Sequence, residues 1–450
     1  MELTCATNPY IPVTRQRHLV YALIEVIPGA DQAASPAPLN LGLVVDASRS
    51  MQIPILGDKE FQDLRRKGMA KQVTVDGVSV WQIEVPKSMH IDAPSNMEFT
   101  KRALNIVADY LRPTDRFSLV AFAQDALLMV PVTRGSSSPD AQKDLLHQAV
   151  ERLDRIDLGD ETFMARGMEK GYEQMKIGLS PDRVNRMILL TDGYTQEEHA
   201  CYEWARQAKQ AGIVVSTMGL GLDFNEDLMI SLADVCGGHA YLITDPKEIL
   251  DAFRQELSNA QSVTWRDLAL TLALPTDVTL RRAHRLQPVI AELKTEHNSL
   301  PLGDMEAKHP PAVLLELVVP PRPTGNFRLA QTTLHARQAG ESAAQPVATQ
   351  DIVVRYTEAP SQAQQTNPHL MAAVQKVSAV KLQNQALEDA QRGNIAGATK
   401  RLRLAGERLL EMGQEDLGQT MLTEAELMEK EGQMTAQGTK KLRYGTRKIT

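Results

Sequence analysis

Aromatic side chains are scarce in this chain. Phe, Trp and Tyr make up 4% of its 450 residues, so any core must rest on Leu, Val, Ile, Ala and Met. A basic surplus is also missing. Against 56 Asp and Glu stand 49 Lys and Arg, a net charge of -7, which argues against general binding to a phosphate backbone. Cysteine is rare: Cys5, Cys201 and Cys236 show no zinc or redox spacing, and the odd count leaves one unpaired. Inert buried thiols in a reducing compartment are expected. No stretch approaches the ~18 apolar residues of a membrane-spanning helix. Arg15 and Arg17 precede the apolar run His18 to Ile24, but Glu25 interrupts it, so a strand is expected there rather than a targeting signal. These absences together predict a soluble, cytoplasmic protein.

Apolar residues make up 43% of the sequence, enough for two or three globular cores. Residues 39–261 alternate strand and helix patterns. Leu39 to Val45 and Arg186 to Leu190 are near-continuous apolar runs, as strands buried on both faces require. Helical spacing follows each of them, which predicts an α/β doubly wound (Rossmann-like) unit with a parallel sheet. From Ser262 the period returns to two, in Trp265 to Leu274 and Val313 to Val319, with Gln331 to His335 and Ile352 to Tyr356 as later strands. Residues 1–38 also read as strands. The expectation is an all-β sandwich of residues 1–38 and 262–358 into which residues 39–261 are inserted. A polar linker, 359–368, leads to a small α-helical hairpin or bundle over 369–432, with breaks at Gly393 and Gly413. The last stretch, 433–450, carries Lys440, Lys441, Arg443, Arg447 and Lys448 and reads as a solvated basic tail, with docking on an acidic face of a partner or of the chain's own sandwich as the alternative.

The chemistry gathers at the carboxyl ends of the buried strands, where open α/β sheets bind ligands. The first strand delivers Asp46, Ser48 and Ser50, which can converge as a carboxylate and two hydroxyls. The second ends in Thr191-Asp192-Gly193. Between them Gly159-Asp160-Glu161-Thr162 opens a helix. These are hard oxygen donors, suited to magnesium and poor for zinc. Asp160, Glu161, Glu197 and Glu198 stand nearby in sequence as helix-start acids favoured by the dipole.

Asp46, Ser48, Ser50, Thr162 and Asp192, in that order, resemble the metal-ion-dependent adhesion site of bacterial von Willebrand factor A (vWA) domain proteins. The resemblance covers about half the chain. It implies that Ser48 and Ser50 coordinate the metal directly, that Thr162 does so in one conformational state, and that Asp46 and Asp192 act mostly through water. The implied ion is Mg2+, with Mn2+ or Ca2+ as the other candidates. The implied partner is a protein that supplies an Asp or Glu carboxylate to the metal, and neither nucleic acid nor a membrane span is implied. The chain departs from the family pattern at Arg49, and in residues 51–97, which intervene before the first expected helix. There Val73-Thr74-Val75 and Val78-Ser79-Val80 flank Asp76-Gly77, a hairpin signal. This insertion is a candidate selector of partners.

The expected function is therefore a non-enzymatic, metal-dependent protein-binding scaffold. Two alternatives compete with it. A haloacid-dehalogenase-like phosphatase would need a second Asp as general acid where Ser48 stands, and is disfavoured. A role as the vWA component of an ATPase-associated complex stays open; no Walker-type loop is present, so this chain itself should not hydrolyse ATP.

Overall fold

A computed structural model describes residues 1–29, 37–56, 58–75, 78–84, 93–132, 139–159, 161–295, 298–338, 341 and 343–449. Its centre is a six-stranded sheet in the order Ala240–Ile243, Val214–Leu220, Val184–Thr191, Leu39–Asp46, Arg116–Phe122, Ala126–Val130. All neighbours run parallel except the last pair. Every residue of Leu39–Asp46, Val184–Thr191 and Val214–Leu220 is buried, as strands covered on both faces must be. One apolar cluster lies under helices Asn96–Tyr110 and Glu248–Gln261, and another under Met164–Gly178, Glu198–Gln210 and Glu226–Cys236.

Helix Met164–Gly178 sits unusually close to the sheet. A Cβ on Gly171 would come within 2.6 Å of Val44 Cγ2, and one on Gly167 within 2.7 Å of the Phe122 ring. Glycine at these two positions lets the helix descend onto the central strands, and so fixes where its first residues stand.

Two five-stranded sheets flank this unit in sequence. One has the order Glu2–Thr7, His18–Ile27, Ala312–Val319, Thr279–Gln287, Ala291–Leu293; the other runs Ser299–Met305, Trp265–Ala273, Gly325–Gln338, Gln345–Thr357, Tyr10–Pro12. A single apolar cluster draws on both, from Val20 and Leu315 in one to Leu270 and Leu334 in the other. Residues His18 to Ile27 thus form a paired strand. The segments before and after the α/β unit both reach residues 183 and 184. Pro38 O accepts from Val184 N at 2.9 Å, and Arg266 reaches the carbonyl of Arg183.

A buried ion cluster lies across this junction. Arg186 Nη1 donates to Glu256 Oε1 at 2.8 Å and lies 3.7 Å from Glu306 Oε1. Ser216 Oγ and the Tyr241 hydroxyl donate to the same Glu256 carboxylate at 2.6 and 2.8 Å, and His239 Nδ1 lies 3.3 Å from it. Burial works against the Arg186 charge, but Glu256 and Glu306 outweigh it and raise its pKa. Glu256 belongs to the last helix of the α/β unit and Glu306 follows a strand of the flanking sheets.

Helices Pro368–Gln391, Ile395–Glu411 and Glu415–Glu431 pack on one another and, through Leu370, Ala373 and Val377, on Leu23, Leu286 and Leu314 of the flanking sheet. The reading of 433–450 as a solvated tail is corrected. Ala436–Thr446 is a helix. Its Lys440 Nζ sits 4.0 Å from the Phe224 ring centroid and 2.7 Å from Glu226 Oε2, and Arg443 and Arg447 pair with Asp227 and Asp234. The physical reason is complementarity: these basic side chains face the acidic side of helix Glu226–Cys236, while Leu442, Tyr444 and Ile449 are buried. Burying three such side chains contributes roughly 4.5–9 kcal/mol. Deleting residues 433–450 is therefore expected to lower the urea unfolding free energy by about that amount; an unchanged midpoint and slope would show that the helix is not held.

The insertion is also sharper than 51–97. Met51 and Met97 are core residues. The segment leaves the core between Pro54 and Ser95, which form a β-bridge, and carries an unforeseen helix, Asp58–Arg66, before the antiparallel pair Ala70–Val75 and Val78–Ile83. Asp76 and Gly77, the expected turn, lie outside the described residues.

Candidate metal centre

The sheet order brings the ends of the first and third parallel strands side by side, because Leu39–Asp46 pairs directly with Val184–Thr191. Asp46 ends the first of these strands, fully buried. Its Oδ1 accepts from the Ser48 backbone N–H at 2.8 Å and its Oδ2 from the Thr191 hydroxyl at 2.6 Å. A carboxylate held at both oxygens is fixed in direction. The chain then enters a short 3-10 turn, Arg49–Gln52, which brings Ser48 Oγ and Ser50 Oγ to 2.9 Å from each other.

Asp192 closes the cluster from the neighbouring strand. Ser50 Oγ donates to its Oδ1 at 2.6 Å and Asn96 Nδ2 to its Oδ2 at 3.1 Å. Thr162 arrives from the loop before the low-lying helix. Its carbonyl accepts from Gln196 N at 2.8 Å and Thr195 Oγ1 at 3.0 Å, which ties it to the loop after Asp192. A Cβ built on Gly193 would lie 3.9 Å from Thr162 Oγ1 and 4.0 Å from Ser50 Oγ, so both hydroxyls border the same small residue. Gly193 is not among the left-handed residues, so the chain leaves Asp192 without positive φ there.

The five residues named from the sequence thus stand around one edge. Two further residues, Thr191 and Asn96, orient the carboxylates and were not foreseen. A sign of Asn96 was available in Ser95 to Glu98, a capping box that fixes the start of its helix. Of the nearby acids, Glu198 is engaged by Asn225 at 2.5 Å, Glu161 is exposed, and Asp160 lies outside the described residues.

The electrostatics are uneven. Burial, then the charge of Asp192, push the Asp46 carboxyl up to about 6, against hydrogen bonds from Ser48 and Thr191 that favour its charged form. Burial also raises Asp192, with hydrogen bonds from Ser50 and Asn96 opposing. Two buried carboxylates therefore repel one another, and no basic side chain among the described residues relieves them. Such a site favours a cation, and its hydroxyl and carboxylate oxygens suit a hard divalent one.

Comparison with known proteins agrees with the fold. The family model of the von Willebrand factor type A domain matches residues 85–255. The chain carries a vWA domain. The matched part begins after most of the insertion, so the strand that ends in Asp46 lies before it. A second family model, the Sll0103-like C-terminal alpha-helical domain, matches residues 368–450 and takes in the docked terminal helix. The chain is 23% identical over 249 residues to the uncharacterized protein YfbK of Escherichia coli, covering 53% of this chain and 41% of that one. It is 26% identical over 235 residues to the uncharacterized protein sll0103 of Synechocystis, covering 49% and 53%. The matches thus span about half the length of these relatives or less. Among solved structures, a von Willebrand factor type A protein from Catenulispora acidiphila superposes with a TM-score of 0.75 at 17% identity, over 100% of this chain and 96% of that one. The ArnB paralog VWA2 of Sulfolobus acidocaldarius gives 0.55 at 13% identity, over 99% and 96%. Both share the vWA fold. No helix among the described residues is long and apolar enough to cross a membrane.

Proposed function

We propose that this chain is a non-enzymatic protein-binding scaffold that captures an acidic residue of a partner protein through a divalent metal, magnesium first, held at the edge of its vWA domain. The α/β unit is read as an insertion in a sandwich built from the two flanking sheets. The observation that carries the proposal is the pair of buried, mutually repelling carboxylates, Asp46 and Asp192, bridged by the Ser48 and Ser50 hydroxyls and in no ion pair among the described residues.

Ser48, Ser50 and Thr162 would hold the ion through neutral hydroxyls, with Asp46 and Asp192 supporting it. A bound divalent ion would supply a positive charge with room for one more oxygen ligand. Asp46 takes direction from Ser48 N–H and Thr191, and Asp192 from Asn96, so the chain's own contribution is to hold the donors before any ligand arrives. A hydrolytic role is not supported: the Ser48 side chain is a hydroxyl, no general acid.

The test is calorimetric titration of the full chain with MgCl2, MnCl2 and CaCl2. One site per chain is expected, followed by magnesium-dependent, chelator-sensitive binding of peptides bearing an accessible Asp but not Asn. Absence of binding by any of the three ions would overturn the metal reading.

A further inference from the structure

A second site lies away from the metal edge. Where the two flanking sheets meet helices Glu198–Gln210 and Glu226–Cys236, they enclose a cavity of about 520 Å3, within the ~300–1,000 Å3 typical of small-ligand pockets. Ile213, Val235, Leu268, Leu293 and Pro301 give it an apolar lining. Arg285 stands in its wall, 4% exposed.

The guanidinium is poorly provided for. Its hydrogen bond to a described residue is Nε to the Val289 carbonyl at 3.4 Å, which leaves both terminal amino groups without a protein acceptor among the described residues. The carboxylates around it face other cations or donors: Glu292, in the same wall, lies 3.8 Å from Arg282 and Glu306 lies 3.7 Å from Arg186. Asp234 is forked by Arg447, Asp267 accepts from Arg337 Nε at 2.6 Å, and Asp304 Oδ1 accepts from the Asp267 backbone at 3.3 Å. Burial lowers the Arg285 pKa, and Asp234 offsets that in part. A buried, unpaired arginine is unfavourable for stability, and its planar fork of donors matches a carboxylate or phosphate.

We propose that this cavity binds a small organic anion, an apolar body whose single carboxylate or phosphate group sits on Arg285. The site is independent of the metal centre and should work in chelator.

The experiment is calorimetric titration of the full chain, in EDTA, with octanoate and with octyl phosphate. Octanol and inorganic phosphate serve as controls that lack one half of the ligand. One anion per chain is expected to bind at least about tenfold tighter than either control, since octanol lacks the charged hydrogen bonds and inorganic phosphate the apolar burial; the tighter of the two names the head group. Arg285→Met should lose that preference yet unfold at a higher temperature without ligand, which a purely structural arginine would not do. Ala269→Trp, which fills the cavity and leaves Arg285 in place, should lose binding as well, and decides the matter if Arg285→Met fails to fold. No binding by the unaltered chain, or unchanged affinity after Ala269→Trp, would overturn the proposal.

Discussion

In metal-free buffer, Asp192→Asn is expected to melt at a higher temperature than the unaltered chain; in saturating magnesium the order should reverse. Asparagine keeps an acceptor for Ser50 Oγ, now 2.6 Å from the carboxylate, while removing one of two buried like charges. Without metal that repulsion only destabilises, and neither carboxylate has a basic partner among the described residues. With metal, the unaltered chain gains ~2.7 kcal/mol at a magnesium concentration 100 times its dissociation constant, and the variant, with affinity weakened ~10–100-fold, gains much less. Asp46→Ala should behave differently. It strands the Ser48 N–H and the Thr191 hydroxyl, at about 1–3 kcal/mol each, and so should be less stable in both buffers. Differential scanning calorimetry with and without magnesium reads all three proteins. Parallel shifts in the two buffers for Asp192→Asn would mean that these carboxylates serve the fold and no cation.

The second large effect lies at the opposite end of the same strand. Glu256→Ala is expected to destabilise the chain by about 3–5 kcal/mol, because it leaves the Arg186 charge buried, and with it the Ser216 and Tyr241 donors. Arg186→Met with Glu256→Leu should lose much less than the sum of the single changes, since the two residues interact directly. The pH dependence follows with a definite sign. Burial alone would raise the Glu256 pKa, but Arg186 and His239, with hydrogen bonding, hold it well below the ordinary 4.5. A carboxylate depressed in the folded state adds stability that is present above its unfolded pKa and is lost as pH falls below it. Urea midpoints should therefore fall below pH ~4.5 for the unaltered chain and fall less for Glu256→Gln. Equal acid slopes in the two proteins would count against this cluster as the source.

Much of the α/β unit could be read from its sequence, because strands buried on both faces leave continuous apolar runs and because Asp46 to Ser50 is a local signal. The donors lie within short segments whose strands are neighbours, so sequence order and sheet order meet at one edge. What escaped reading was non-local. Thr279–Gln287 is rich in Arg and His and gives no clean alternation, since its first half is exposed and its second half buried against other units. Arg186 looks like a misplaced charge in a buried strand until Glu256, 70 residues on, is brought to it. The terminal helix is basic in sequence, and only its contact with Glu226, Asp227 and Asp234 explains why it is folded. Arg285 gave no signal at all, for its meaning depends on the acceptors it lacks.

The order of strands in the flanking sheets has a consequence for synthesis. His18–Ile27 pairs with Ala312–Val319, so the ribosome finishes the partner roughly 15–60 s after the first strand, at ~5–20 residues per second. During that interval the early hairpin exposes its apolar face. The vWA domain, complete by then, shortens the search: the segments on either side of it both reach residues 183 and 184, so once folded it acts as a short rigid connector in place of a loop of more than two hundred residues, whose closure entropy would otherwise oppose the late pairing. A slow-folding vWA variant should therefore fail first as aggregation through the waiting N-terminal strands, with the defect in one unit showing as insolubility seeded by another.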